Sequence, residues 1–144
     1  MSNRQPFSDT TTHGVRVGAV AFLQRSHSNA EDERFTFGYK ILIHNTGDQA
    51  VTLLGRHWNI VDGEGNRDEV EGEGVVGHQP RLEPGQAFQY NSFSILKTPW
   101  GTMEGFFLMQ RDDDSTFHAQ ISRFFLTPPR GSETPVDVLE LGVM

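Results

Sequence analysis

The chain has 144 residues, enough for one domain with its own hydrophobic core. It has no cysteine, which excludes a disulfide, a thiolate metal site and a cysteine nucleophile, and which fits a cytoplasmic location. The net charge of −7 disfavours a nucleic-acid partner, because phosphate binding needs a basic face. The sequence has neither an apolar run of about 18 residues nor a signal-peptide pattern, so it predicts no membrane segment.

The N-terminal part of the chain changes character near residue 14. Residues 1–13 are polar and rich in serine and threonine, so we expect a flexible N-terminal arm. The domain itself is expected over residues 14–126, where the dominant period is two. Apolar residues alternate over 15–23 and again over 35–43, which predicts two strands with one buried face each.

The third predicted strand carries a tryptophan. It covers residues 51–61, with Leu54, Trp58 and Ile60 on one face. We expect Trp58 to be the core tryptophan of the domain. A turn over residues 62–66, rich in glycine and acidic residues, ends this strand.

The last two predicted strands form a hairpin with Asp112, Asp113 and Asp114 at its tip. Alternate residues of the closing strand are expected to share one face, namely Phe117, Ala119, Ile121, Arg123 and Phe125. Phe124 and Leu126 then lie on the opposite face. Residues 127–144 contain three prolines and are expected to be a mostly mobile C-terminal extension.

These elements predict an all-β fold. No window of helical length shows a period of 3.6, whereas seven or more short strands are separated by turn signals. The pattern favours an immunoglobulin- or fibronectin type III-like antiparallel β-sandwich. Edge strands of small sandwiches can pair between chains, so the expected state is a monomer or a homodimer.

A glycine motif of the form GxGxxG lies at Gly72, Gly74 and Gly77. A dinucleotide fingerprint needs a helix after the glycines to hold the pyrophosphate, and the prolines Pro80 and Pro84 prevent one here. Two interpretations remain open. The glycines either form bulges and tight turns, or their loop amides bind a nucleotide or pyrophosphate without a helix. The candidate ligand-binding residues are Arg56, His57, Gly72, Gly74, Gly77, His78 and Gln79.

The histidines and carboxylates give weaker signals. On a strand, His57 points away from Trp58, so it is either a surface residue hydrogen-bonded to a neighbouring loop or part of a ligand cleft with His78. Asp112, Asp113 and Asp114 form the only dense carboxylate cluster, for which we expect at most weak binding of a divalent cation. No motif predicts a catalytic residue or a bound cofactor.

A partner surface is the other candidate site. Four apolar residues fall on faces or loops that the alternation does not assign to one core, namely Phe93, Trp100, Phe106 and Leu108. An apolar group on the wet face of a sandwich can mark a protein-interaction surface. The alternative is that loops or the C-terminal extension cover these side chains.

Five segments of the sequence resemble the bacterial ApaG family in order and spacing. They are Arg34-Phe35-x-Phe37-x-Tyr39, Leu54-Gly55-Arg56-His57-Trp58, Glu71-Gly72-Glu73-Gly74-Val75-Val76-Gly77-x-Gln79-Pro80, Leu82-x-Pro84-Gly85 and Thr98-Pro99-x-Gly101-x-Met103-x-Gly105. The resemblance covers about residues 15–126. The last strand departs from it, since the family commonly has a proline after the isoleucine where this chain has Ser122.

The resemblance implies a sandwich fold and a non-catalytic binding or regulatory module. Bacterial members are associated with cobalt resistance and magnesium efflux, and the same domain in eukaryotic F-box and polymerase-interacting proteins is thought to bind other proteins. We therefore expect an unidentified protein partner and a role in Co²⁺ and Mg²⁺ homeostasis. Nucleotide or pyrophosphate binding at the glycine motif is the alternative.

Overall fold

The structure, a computed structural model, describes residues 5–128. Nine strands form two antiparallel sheets, and the only helical element of the described residues is one 3₁₀ turn, Arg25–His27. The strands are β1 (Phe7–Thr12), β2 (Val15–Leu23), β3 (Phe35–Asn45), β4 (Val51–Asp62), β5 (Arg67–Glu73), β6 (Arg81–Leu82), β7 (Ala87–Leu96), β8 (Gly101–Arg111) and β9 (Thr116–Leu126).

The two sheets pack face to face around one core. One sheet has the order β1-β2-β3-β7, and the other has the order β5-β4-β8-β9, with β6 paired to β4. Trp58 is 2% exposed and its ring packs against those of Tyr39, Phe107 and Phe124. The β-sandwich prediction, the two alternating strands and the core tryptophan are confirmed. No helix within residues 5–128 has the length and apolarity to cross a membrane.

The expected flexible arm is wrong for residues 7–12, because they form β1. This strand pairs with β2 over its whole length, and its other side meets β9. Ser8 Oγ donates a hydrogen bond of 2.7 Å to the carbonyl of Ser122. The polar residues of β1 therefore satisfy polar groups of β9, and no apolar alternation marks the strand. Residues 1–4, and residues 129–144 of the expected mobile extension, lie outside the described residues.

Two β-bulges change which residues face the core. In β4 the pairing with β8 skips Leu54, so fully buried Leu53 joins Trp58 inside and Leu54 is half-buried. In β9 two residues, Ser122 and Arg123, stand opposite one residue of β8. An extra residue reverses the alternation beyond it. The prediction that Leu54 and Trp58 lie on the same face of the strand was therefore wrong.

The second bulge likewise changes which residues of the closing strand β9 face the core. Phe124 and Leu126 are fully buried in the core together with Ile121, whereas Arg123 and Phe125 are not. The alternation predicts Ile121 and Phe124 on opposite faces, and this prediction is wrong. The bulge lies where the strand would otherwise have turned Phe124 to solvent.

Candidate functional site

The glycine motif forms a closed β-turn. The N–H of Val75 donates to the carbonyl of His78, and the N–H of His78 donates to the carbonyl of Val75, both at 2.8 Å. Between them Val76 has a φ of 42° and Gly77 a φ of 83°. Two central residues with positive φ are typical of a type I′ hairpin turn.

The turn is anchored on the bulge of β4. The carbonyl of Leu54 accepts hydrogen bonds of 2.8 Å from the N–H of Gly74 and from Nε2 of Gln79. Arg56 Nη1 donates to the carbonyls of Glu73 and Gly74, at 3.1 and 2.9 Å. A bulge leaves its extra residue out of the ladder, so the Leu54 carbonyl is free to hold the turn.

These bonds use three of the loop amides on which a phosphate nest could draw. The N–H groups of Gly74, Val75 and His78 are all donated within the protein. A Cβ on Gly74 would lie 2.2 Å from the carbonyl oxygen of His78, so this glycine permits a close backbone approach. The geometry favours the structural interpretation of the glycines over the nucleotide interpretation.

The positive charge of Arg56 acts on two buried tyrosines, Tyr39 and Tyr90. Burial raises the pKa of Tyr39. A hydrogen bond with Ser92 and the positive charge of Arg56 partly offset this rise. Burial also raises the pKa of Tyr90 well above its usual value, again against the charge of Arg56. Since Arg56 also holds the glycine turn through its guanidinium, it links the turn to the edge of the core.

His57 lies on the outer face of its sheet, the face that points away from the other sheet. Its Nδ1 is 3.0 Å from Glu71 Oε1 on the neighbouring strand β5, and its ring stacks on Phe106 at 5.0 Å between centroids. Phe106 stacks in turn on His118 at 3.8 Å. His78 lies elsewhere, with its ring 5.9 Å from that of Phe88 on β7. The two histidines therefore belong to different surroundings.

A shallow hollow of about 370 Å³ opens beside His57, and we call it the Gly55 hollow. Gly55 pairs with Glu73 of β5 on one side and with Leu108 of β8 on the other, so a bare backbone position separates two side chains. The residues that line the Gly55 hollow are Gly55, Arg56, His57, Glu71, Gly72, Glu73, Phe106 and Leu108.

The Gly55 hollow brings together residues that the sequence assigned to two different candidate sites. Arg56, His57 and Gly72 come from the predicted ligand-binding set, and Phe106 and Leu108 come from the predicted interaction set. Sequence reasoning missed Gly55, Glu71 and Glu73 as members of the site. A glycine within a strand is the signal that could have found the hollow, because it often marks a close approach to a ligand or backbone.

The other two predicted interaction residues lie elsewhere. Phe93 is 60% exposed on the outer face of the four-stranded sheet. Trp100 stacks on Phe125 at 6.1 Å and covers Gly63, where a Cβ would lie 2.6 Å from the indole nitrogen. Trp100 therefore packs against the end of the sandwich.

The Asp112–Asp114 hairpin tip is held by hydrogen bonds of its own. Asp112 forms an ion pair with Arg81, and Asp113 accepts from the N–H and the hydroxyl of Ser115, which lower the pKa of Asp113. Among the residues that the structure describes, no three His, Asp or Glu side chains are grouped so as to hold a metal ion. A polar pocket of about 380 Å³ beside this tip is lined by His13, Asp48, Arg111 and Asp113, among others.

Val76 at the tip of the glycine turn is strained. It is β-branched and 51% exposed at a φ of 42°, a conformation that favours glycine and asparagine. Val76→Asn creates the Asn-Gly pair preferred by type I′ turns, and we expect it to raise the free energy of unfolding by about 1 kcal/mol. Urea denaturation measures this change. The control is Val20→Asn, at an exposed strand position, which should not stabilise; equal effects would contradict the strain at Val76.

Comparisons with known proteins agree with this fold. The family model of the ApaG domain matches residues 25–111. Protein ApaG of Azoarcus sp. (strain BH72) is 46% identical over 123 residues, which cover 85% of this chain and 97% of that protein. Protein ApaG of Anaeromyxobacter dehalogenans (strain 2CP-C) is 45% identical over 122 residues, covering 85% and 96%.

A solved structure agrees as well. The crystal structure of a Bordetella pertussis protein described as ApaA superposes with a TM-score of 0.78 at 35% identity, covering 88% of this chain and 98% of that one. The family model and the curated relatives each span most of the sandwich. The chain belongs to the ApaG family.

Proposed function

We propose that this protein is a cytoplasmic, non-catalytic binding module, and that its Gly55 hollow receives a basic side chain of a partner protein. The observation that supports the proposal is a bare glycine position with apolar residues on one side and carboxylates on the other. The absence of cysteine from the chain is in keeping with the cytoplasm.

The lining suits an arginine or a lysine. The aliphatic stem of such a side chain can lie along Leu108 and Phe106, with its charged head towards Glu71 and Glu73. A cation over an aromatic face adds about 0.5–1 kcal/mol at an exposed site. Glu71 is 75% exposed and already meets His57, so Glu73 is the carboxylate without an ion pair in the hollow.

The same lining supports a non-catalytic role. The eight lining residues include no serine, threonine, cysteine, lysine or tyrosine, so His57, Glu71 and Glu73 are the only side chains of the hollow whose chemistry could serve catalysis. His57 is stacked on Phe106 and bonded to Glu71, which suits a fixed wall of a binding site.

Two substitutions test the proposal. We expect Glu73→Gln to weaken binding of a short peptide of alternating arginine and valine about fivefold, because the charge that attracts its cation is lost. Leu108→Ala should weaken it by a similar factor of about five, through lost apolar contact. Isothermal titration calorimetry measures both.

The matched control is Glu31→Gln. Glu31 is an exposed carboxylate in the loop between β2 and β3, so its removal changes net charge equally without touching the hollow. Binding that falls equally in Glu31→Gln and Glu73→Gln would show general charge attraction and would overturn the proposal. Loss specific to Glu73 and Leu108 would support it.

We propose that any role in Co²⁺ and Mg²⁺ homeostasis is exerted through the bound partner. Asp112, Asp113 and Asp114 remain the weak candidates for direct contact with a divalent cation. Two of these carboxylates already bond to Arg81 and Ser115, which lowers what they can offer an ion.

Nucleotide or pyrophosphate binding at the glycine motif is the alternative proposal. Arg56 beside Gly72 and Gly74 would supply the positive charge. Against it stand the carboxylates of Glu71 and Glu73 and the engaged amides of the turn. Titration with the peptide of alternating arginine and valine, and separately with pyrophosphate, distinguishes the two proposals.

A further inference from the structure

Strand β7 is an edge without the usual protection. It pairs with β3 in continuous register over ten residues, and no other described strand pairs with it. Its sequence, Ala87 to Leu96, contains no charged residue and no proline. Natural sheet edges are usually blunted by charges, prolines or bulges, because an open edge can pair with another chain.

The other sheet edges of the described residues are protected. The edge of β1 lies against β9, where Ser8 and Ser122 are hydrogen-bonded. The edge strand β5 has seven residues, and four of them are acidic, namely Asp68, Glu69, Glu71 and Glu73. Two copies of β5 would repel each other, so β7 is the edge on which two acidic chains can meet.

The free hydrogen-bonding groups of β7 follow from its pairing with β3. The N–H of Asn45 donates to the carbonyl of Gln86, at the start of the ladder. Hydrogen-bonded and non-hydrogen-bonded pairs alternate in an antiparallel ladder. Every second residue from Gln86 therefore bonds to β3, and the residues between them direct N–H and C=O to the open side. These are Ala87, Gln89, Asn91, Phe93 and Ile95.

The same five residues lie on the outer face, and four of them, all except Asn91, have exposed side chains. Phe93 is 60% exposed, Ile95 is 46% exposed, and Ala87 and Gln89 are also exposed. Both Nδ2 and Oδ1 of Asn91 are buried without a hydrogen-bond partner among the described residues. The open side of β7 therefore offers a second strand both free backbone hydrogen-bonding groups and apolar side chains.

We propose that two copies of this chain pair antiparallel through β7, with the two-fold axis at Asn91. Asn91 then stands opposite its own equivalent, Gln89 opposite Phe93, and Ala87 opposite Ile95. Five pairs of this kind give about ten backbone hydrogen bonds. Rotation of the Asn91 amide towards the axis lets the two amides bond to each other. The Gly55 hollow lies on the other sheet, so this proposal and the binding proposal can fail separately.

The first test is the oligomeric state of the full chain. Sedimentation equilibrium over roughly a hundredfold range of concentration should show a monomer–dimer equilibrium. The variant Gln89→Glu/Phe93→Glu places carboxylates opposite each other twice and should raise the dissociation constant about tenfold. Gln89→Lys/Phe93→Glu places opposite charges in the same pairs and should restore dimerisation. Both positions are exposed, so the fold should tolerate the changes.

The control variant is Val20→Glu. Val20 is 39% exposed on the same outer face but lies on β2, away from the edge. If Val20→Glu dissociates the dimer while Gln89→Glu/Phe93→Glu does not, the copies pack by faces and the proposal is wrong.

Amide hydrogen exchange gives a second readout. On dimerisation the amides of the five residues that face the open side should become protected, namely Ala87, Gln89, Asn91, Phe93 and Ile95, and those of the residues between them should stay as they are. A monomer at every concentration overturns the proposal. If these amides are protected in that monomer, a segment of the same chain covers the edge instead of a second copy.

Discussion

Gly105→Ala is expected to lower the free energy of unfolding by about 3 kcal/mol, the upper end for an overpacked core. A Cβ at this position would lie 1.9 Å from the carbonyl oxygen of His57 and 3.1 Å from the Cα of Trp58. Both neighbours are backbone atoms of β4, so no side chain can rotate away. Strands β4 and β8 would have to separate, and they hold Trp58 and Phe107 in the core.

The control for this experiment is Gly18→Ala, measured by urea denaturation alongside Gly105→Ala. Gly18 also lies within a strand, and the nearest atom to its added Cβ is that of Leu42 at 3.9 Å, an ordinary contact. We expect almost no change for this variant. Similar losses at both positions would show that the cost comes from replacing a strand glycine as such, and would contradict the close approach at Gly105.

Gly74→Ala is expected to cost about 3 kcal/mol as well, for two separate reasons. Gly74 has a φ of 59°, and a left-handed conformation costs an alanine about 1–2 kcal/mol. The added Cβ would also lie 2.2 Å from the carbonyl oxygen of His78, which opens the turn. Loss of the turn would release the hydrogen bond from Gly74 to Leu54.

Gly77→Ala separates the two reasons. Gly77 has a φ of 83° and no atom within 4 Å of an added Cβ, so only the conformational cost of about 1 kcal/mol applies. Thermal and urea denaturation of the two variants should therefore differ by about 2 kcal/mol. Equal destabilisation would mean that the contact with His78 is relieved at little cost, and that Gly74 is needed only for its φ.

The alternation of side chains predicted β2 and β3 because both strands have one uninterrupted buried face. It failed where the alternation is broken by one residue, at Leu54 and at Ser122–Arg123. A bulge residue has no distinctive composition, and pairing with the next strand decides where it lies. Strand β1 was missed because its polar side chains meet polar groups of β9.

The surroundings of the glycine motif could be predicted only in part from the residues next to it in the sequence. Pro80 and Pro84 correctly excluded a helix after the glycines, and with it the dinucleotide fingerprint. The Gly55 hollow depends instead on register, since Glu73, Gly55 and Leu108 become neighbours only when β5, β4 and β8 pair. No spacing along the chain contains that information, so the two predicted sets of site residues could not be combined beforehand.

The most direct test of the binding proposal is a ¹⁵N chemical-shift titration of the purified protein with four ligands in turn. They are the peptide of alternating arginine and valine, pyrophosphate, ATP and magnesium. We expect the peptide to give saturable shifts at Gly55, His57, Glu73 and Leu108, and pyrophosphate and ATP to give none at residues 72–80. Saturable shifts at residues 72–80 with pyrophosphate or ATP, and none in the Gly55 hollow with the peptide, would contradict the proposal and make the protein a binder of small phosphate ligands.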